Sequence, residues 1–305
     1  MININGKTFI YDIFIKQNIL YLVSTYYSHS DPPISVYVNG AKTTEVGYNQ
    51  CEPARYFYIT APENPNITIK INDKEYYFTA RIEQSISTDK IGIGTLFKDD
   101  YNRITDFIKY YTSQGISEFY LYYNGPTLPA NLPSGSNIHY RCWNYPYWHS
   151  DCQHRHGAQM PFLTTMRLLH IPDHKWFFLI DLDEFIIHTD HIKLDNYLDT
   201  IPHSIRVIQV RNHWAKKEGY MITYSKNAAP WNMRSKCIYR NTFTDLCSIH
   251  APKNSANQLQ DTNLEMLHAV DDHEVGSCPK EDRLAAIIDP IKIVIIRDDG
   301  HITSN

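Results

Sequence analysis

Three carboxylates fall within four residues at Asp181-Leu182-Asp183-Glu184, directly behind the unbroken apolar run Trp176-Phe177-Phe178-Leu179-Ile180. A run without polar alternation is a strand buried on both faces. In open α/β sheets, ligands sit at the carboxyl ends of such strands. Asp181 and Asp183 are two apart, so on extended backbone their side chains point the same way. Like charges that close repel and perturb each other's titration. A divalent cation resolves the conflict, and hard oxygen donors in this number suit Mn²⁺ or Mg²⁺, which keep positions open for phosphate oxygens. The competing reading makes Asp181 a cap of the following turn and leaves Asp183 and Glu184 solvated. The buried strand in front favours the cation.

The elements around the motif set its place. Residues 1–87 carry short runs rich in Ile, Val, Tyr, Phe and Thr at 7–15, 19–25, 34–38, 55–60, 66–71 and 75–82. Turn residues separate them, with Asn72-Asp73 as a tight hairpin turn, and this pattern predicts a small all-β, sandwich-like domain. Behind Ser85 the rhythm changes to a strand at 90–97, a helix at 102–114, a strand at 118–123, a helix at 153–170, the apolar run at 176–180 and a strand at 207–210. Alternating strands and helices predict an α/β, Rossmann-like domain over 88–305 with a mostly parallel sheet covered on both faces.

Composition narrows the partners. Lys plus Arg is 29 against 33 for Asp plus Glu, a net charge of −4, which argues against a nucleic-acid polymer. No apolar run reaches the length of a membrane span, and the N-terminus has no basic-then-apolar leader, so a cytoplasmic protein is expected. The six cysteines, at 51, 142, 152, 237, 247 and 278, form no CxxC and read as free thiols. The 23 tyrosines are the unusual count.

The segment FFLIDLDEFI resembles the DxDEF motif of metal-dependent GT-A glycosyltransferases, specifically glycosyltransferase family 92 and related family-2-like enzymes. Other segments agree in order: Leu96-Phe97-Lys98-Asp99-Asp100, Gly115-Ile116, Leu121-Tyr122-Tyr123-Asn124, Gly157-Ala158-Gln159, Ser235-Lys236-Cys237-Ile238 and Ile249-His250. The chain departs from the family where Asp99-Asp100 replaces Asn-Glu, where Tyr123 replaces Asp, and where Leu267-His268-Ala269 stands near a His-Tyr. The resemblance implies a GT-A domain moving a hexose or pentose from a UDP-sugar to a glycan hydroxyl, galactosyltransferase-like and inverting. It implies Mn²⁺ (or Mg²⁺) on Asp183 and Asp181, completed by His250 or His268. Asp181 is alternatively a ribose contact.

The remaining candidates follow from these parts. Phe97, Lys98, Asp100, Asn124 and Gln159 are candidates for the nucleotide, with Lys236 for its phosphates. Helix capping competes for Asp100 and a turn for Asn124. Direct displacement needs a carboxylate to take the acceptor proton, for which Glu218 and then Asp245 are the candidates. Trp214, Trp231 and Arg234 are candidates for the acceptor, since sugar rings stack on aromatic faces. Two other functions fit less well: a non-catalytic carbohydrate-binding protein on a GT-A scaffold, and a metal-dependent phosphoesterase.

Overall fold

The computed structural model describes residues 2–4, 7–24, 34–48, 54–59, 65–147, 157–218, 221–225, 234–244, 247, 257–270, 291–296 and 302–304. The chain divides into two compact units. One joins Met1–Ser87 to Tyr145–Asp173, and the other joins Thr88–Asn144 to His174–Asn305. No helix among the described residues is long and apolar enough to cross a membrane.

The first unit holds two sheets. One runs through Ile2–Ile4, Lys7–Lys16, Ile19–Ser24, Ala54–Tyr58 and Glu45–Tyr48, and the other through Ala41–Lys42, Ile34–Val38, Asn66–Ile71 and Lys74–Thr79. Every second residue is apolar, and Ile10, Ile15, Leu20, Leu22 and Phe57 of one sheet share a core with Val36, Ile67, Ile69 and Ile71 of the other. Two-residue turns set the registers: Gln17 and Asn18 both take positive φ, as a type I′ hairpin demands, and Asn72 does so at the other (φ 54°). Helix Gln159–Leu169 also lies in this unit, with Pro161 to Met166 all buried. Its last carbonyls are capped by the buried Lys16 ammonium, which donates to Leu169 O and pairs with Asp173 at 3.0 Å. The unit is therefore not purely β.

The second unit is built on one sheet. Four parallel strands stand in the order Ile138–Cys142, Glu118–Tyr123, Thr88–Phe97, His174–Leu179. The chain order thus reverses between Thr88–Phe97 and His174–Leu179, so their carboxyl ends border a topological switch point. The expectation of a mostly parallel sheet needs correction. His174–Leu179 is followed in the sheet by antiparallel partners, Lys236–Arg240, then Val207–Glu218, then Met221–Ser225. Parallel neighbours require a long crossover, and antiparallel ones only a short turn. Helices at 104–113 and 194–200 are the ones this unit supplies among the described residues. The 207–210 strand extends to Glu218 and pairs in parallel with Gln258–Val270.

Helix Ile104–Ser113 carries Ile104, Phe107, Tyr110 and Tyr111 into the core beside Ile93, Phe119 and Phe178. Gly115 ends it at φ 88°, and a Cβ there would lie 2.2 Å from the Asp195 carboxylate, so only glycine fits.

Candidate active site

The carboxylate motif is a tight turn at the switch point. Behind His174–Leu179 the chain folds back, with Glu184 N donating to Asp181 O at 3.2 Å. Asp181 N in turn donates to Glu184 Oε2 at 2.8 Å, so the third carboxylate closes the turn made by the first. Glu184 opens the strand Glu184–His188, paired with Gln258–Val270, which brings His268 directly opposite Glu184.

The free edge of that short strand is satisfied by two tyrosines of helix Ile104–Ser113. Tyr111 Oη donates to Glu184 O (2.9 Å) and accepts from Ile186 N (3.0 Å). Tyr110 Oη donates to Ile186 O at 2.6 Å. Both rings are buried, and burial pushes both phenols far above their ordinary range, so they stay neutral donors. Tyr111→Phe strands a buried N–H and a buried carbonyl on this strand. We expect a loss of about 2–6 kcal/mol, at about 1–3 kcal/mol for each orphaned group, read as a lower midpoint in urea. An unchanged midpoint would show that water reaches the edge.

The three carboxyls differ in environment. Asp181 is the most open, with its side chain 42% exposed, and Lys236 Nζ donates to its Oδ2 at 2.6 Å. Glu184 is 1% exposed and lies 3.3 Å from the same ammonium. Burial pushes its carboxyl up to about 7, against the opposing pull of Lys236 and with the further push of Asp181. Asp183 faces His268, whose Nε2 lies 2.9 Å from Oδ2, and Arg103, whose Nη1 lies 3.8 Å away. Burial would raise this carboxyl, but the charge and hydrogen bond of His268, with Arg103 and Lys236, hold it at about 2. Burial likewise lowers the His268 imidazolium, and Asp183 more than restores it. The Asp183 backbone is fixed separately, by Ala269 N donating to its carbonyl at 2.8 Å.

Asp183 and His268 are the side chains at this turn that would hold a divalent cation. Asp183 Oδ2 and His268 Nε2 stand 2.9 Å apart as a hydrogen-bonded pair, so an ion between them would displace the shared proton. Imidazole and carboxylate are both donors for such ions. Among the described residues no group of three His, Cys, Asp or Glu gathers around one point.

Trp214 lies next to the carboxylate turn through His268. It stands beside His268 in the sheet, with ring centroids 4.6 Å apart. Arg234 stands over Trp214, its guanidinium 5.0 Å from the ring centre and its backbone in the left-handed region at φ 55°. A non-glycine residue held there is a strained position of the kind found at functional sites.

The other candidates are placed as follows. Phe97 is buried against Tyr123, and its carbonyl accepts from Asn124 N at 2.7 Å. Asn124 is buried and donates through Nδ2 to Trp143 O at 2.8 Å, so it ties neighbouring strand ends together. Lys98 is exposed behind the first strand, with Asp99 at φ 63° beside it. Asp100 precedes the turn Tyr101–Arg103 and makes no side-chain capping bond to it. Gln159 opens the helix of the first unit and accepts from Tyr147 Oη at 3.5 Å. Lys236 lies beneath the carboxylate turn, not on open surface. The strand reaches Glu218, but its side chain is outside the described residues, as are Trp231, Asp245 and His250. Arg103, Tyr110 and Tyr111 were missed. Their signal was a cation at the start of the first helix and two hydroxyls on its apolar stripe.

Residues 168–278 match the family model of glycosyltransferase family 92, a stretch that holds the carboxylate turn, Trp214, Arg234, Lys236 and His268. The chain is similar to that family over roughly a third of its length. Comparison with curated proteins gives no match. Among solved structures, the siderophore interacting protein from Acinetobacter baumannii is 10% identical, over 57% of this chain and 76% of that one. Its TM-score of 0.19 is too low to carry an argument.

Proposed function

We propose that this chain, similar to the family 92 glycosyltransferases through the segment that forms its carboxylate turn, is a metal-dependent transferase with a GT-A type domain. It moves a sugar from a UDP-sugar to a glycan hydroxyl. The observation that carries the reading is the Asp183–His268 pair, set at the carboxyl end of a buried strand beside the switch point.

Asp183 and His268 would hold Mn²⁺ or Mg²⁺, with Asp181 beside them toward the ribose. When bound, the cation supplies positive charge to the departing diphosphate. The chain's own residues do the rest. Glu184 fixes the turn that aims Asp181 and Asp183. Lys236 balances Asp181 and Glu184 from below. Arg103 adds positive charge on the far side of Asp183. Trp214 offers an aromatic face to the acceptor sugar, and Arg234 a set of donors to its hydroxyls. Direct displacement, with inversion, needs a carboxylate on the acceptor side to take the hydroxyl proton. Glu218, at the end of the strand that carries Trp214, is the residue we assign, with Asp245 second.

The test is thermal melting with UDP, with and without Mn²⁺. A ligand at 100 times its dissociation constant stabilises by about 2.7 kcal/mol. We expect a rise in Tm with UDP and Mn²⁺ together that neither gives alone. No response to any nucleotide with metal would refute the reading and favour a carbohydrate-binding protein.

A further inference from the structure

The four-stranded sheet of the first unit has one face in the core and one face outward. On the outer strand Lys74–Thr79, Tyr76 and Phe78 pack on the core, so Glu75, Tyr77 and Thr79 stand on the other side. Directly paired residues share a face, and Tyr77 pairs with Thr68, which pairs with Tyr37. With strands about 4.8 Å apart, the two tyrosines stand roughly 10 Å from each other across Thr68.

Tyr77 is 73% exposed, the most exposed of the large hydrophobic side chains among the described residues. Its hydroxyl donates to Glu75, two positions back along the same strand. The ring is thus tethered at its hydroxyl and otherwise open to solvent. Lys70 pairs with the same Glu75 carboxylate and places its ammonium 4.9 Å from the centre of the Tyr37 ring. On these rows the Lys70 and Glu75 charges cancel, and Thr68, Thr79 and Asn66 are neutral polar neighbours. Lys42, opposite Tyr37 on the edge strand Ala41–Lys42, adds one positive charge at the edge.

We propose that this face binds a neutral glycan chain, with a sugar ring stacked on Tyr77 and the chain crossing Thr68 toward Tyr37. A sugar offers an apolar C–H face to an aromatic ring and hydroxyls to the polar groups around it. With one internal ion pair and a single lysine at the edge, the patch lacks the run of cations that a phosphate backbone or an acidic peptide needs, and matches an uncharged ligand better. The site needs no metal and no nucleotide, and it does not rest on the transferase reading.

The test is native affinity electrophoresis of the full chain in gels containing soluble neutral β-glucan or β-galactan. We expect retardation of the native chain, and a roughly tenfold weaker apparent affinity in Tyr77→Ala. Tyr77→Phe, which keeps the ring and loses the tether to Glu75, should fall between the two. The exposed ring adds little to stability, so Tm should be unchanged in both. Asp183→Ala should be retarded like the native chain, which separates this face from the carboxylate turn. The proposal is overturned if neither glycan retards the native chain, or if Tyr77→Ala binds as tightly. It is also overturned if sedimentation shows a Tyr77-dependent dimer without glycan binding, because a second copy then covers the face.

Discussion

Asp183→Ala should lower kcat/KM for sugar transfer by about a thousandfold or more, while the chain stays folded. A cation that neutralises the leaving diphosphate contributes several kcal/mol, and each 1.36 kcal/mol is a factor of ten in rate. Asp183 is the carboxylate best suited to hold one. Its side chain is 22% exposed, so it is reachable, and it stays ionised because His268, Arg103 and Lys236 outweigh its burial. Its carbonyl, which accepts from Ala269 N, survives the substitution, while the pairing of its side chain with His268 and Arg103 is lost at some cost in stability. The variant should therefore keep its circular dichroism and lose its Mn²⁺-dependent response to UDP. Asp183→Asn, which preserves shape, should be as inactive. Full activity in either variant would refute the assignment, and so would an intact response to UDP with Mn²⁺.

The carboxylate turn was legible because an apolar strand and a charged turn meet at one boundary, at Ile180 and Asp181. Strand existence was legible for the same reason: 66–71 and 118–123 alternate or run apolar over their whole length. What sequence could not supply was partnership between distant segments. Nothing local says that His268 lies opposite Glu184, because that pairing depends on the register of two strands some eighty residues apart. Helix 159–169 reads as a crossover helix by its apolar stripe, yet the stripe does not say which sheet it covers. Its tie to Lys16 places it with the first unit. The resemblance makes Lys236 and Asn124 ligand contacts, whereas in the fold Lys236 pairs with Asp181 and Glu184, and Asn124 bonds Trp143 O. The tyrosine excess has part of its reason here as well. Tyr110 and Tyr111 bring hydroxyls through an apolar helix face to a strand edge that, among the described residues, no other strand covers.

Lys236→Met should destabilise the chain by about 3–5 kcal/mol at pH 8, the cost of breaking a buried ion pair from one side. Lys236 is 5% exposed and Glu184 1%, so neither can turn to water when the other is removed. Asp181 can, being 42% exposed, and it should contribute little to the loss. The deficit should depend on pH through Glu184. Burial raises its carboxyl from 4.5 to about 7 in the folded chain, so the protonated form is favoured by folding. That contribution is fully present below 4.5 and is lost as pH rises through about 7. Without the ammonium the carboxyl rises further, so the variant keeps losing stability at pH values where the native chain has levelled off. Urea denaturation in chelator at pH 5 and pH 8 should show the smaller deficit at pH 5. Adding Glu184→Gln to Lys236→Met should restore part of the stability at pH 8 and flatten the pH dependence, because the amide has no charge to strand. A deficit equal at both pH values, or one that the second substitution deepens, would mean that Lys236 acts through packing of its aliphatic stem and not through the carboxylates it faces.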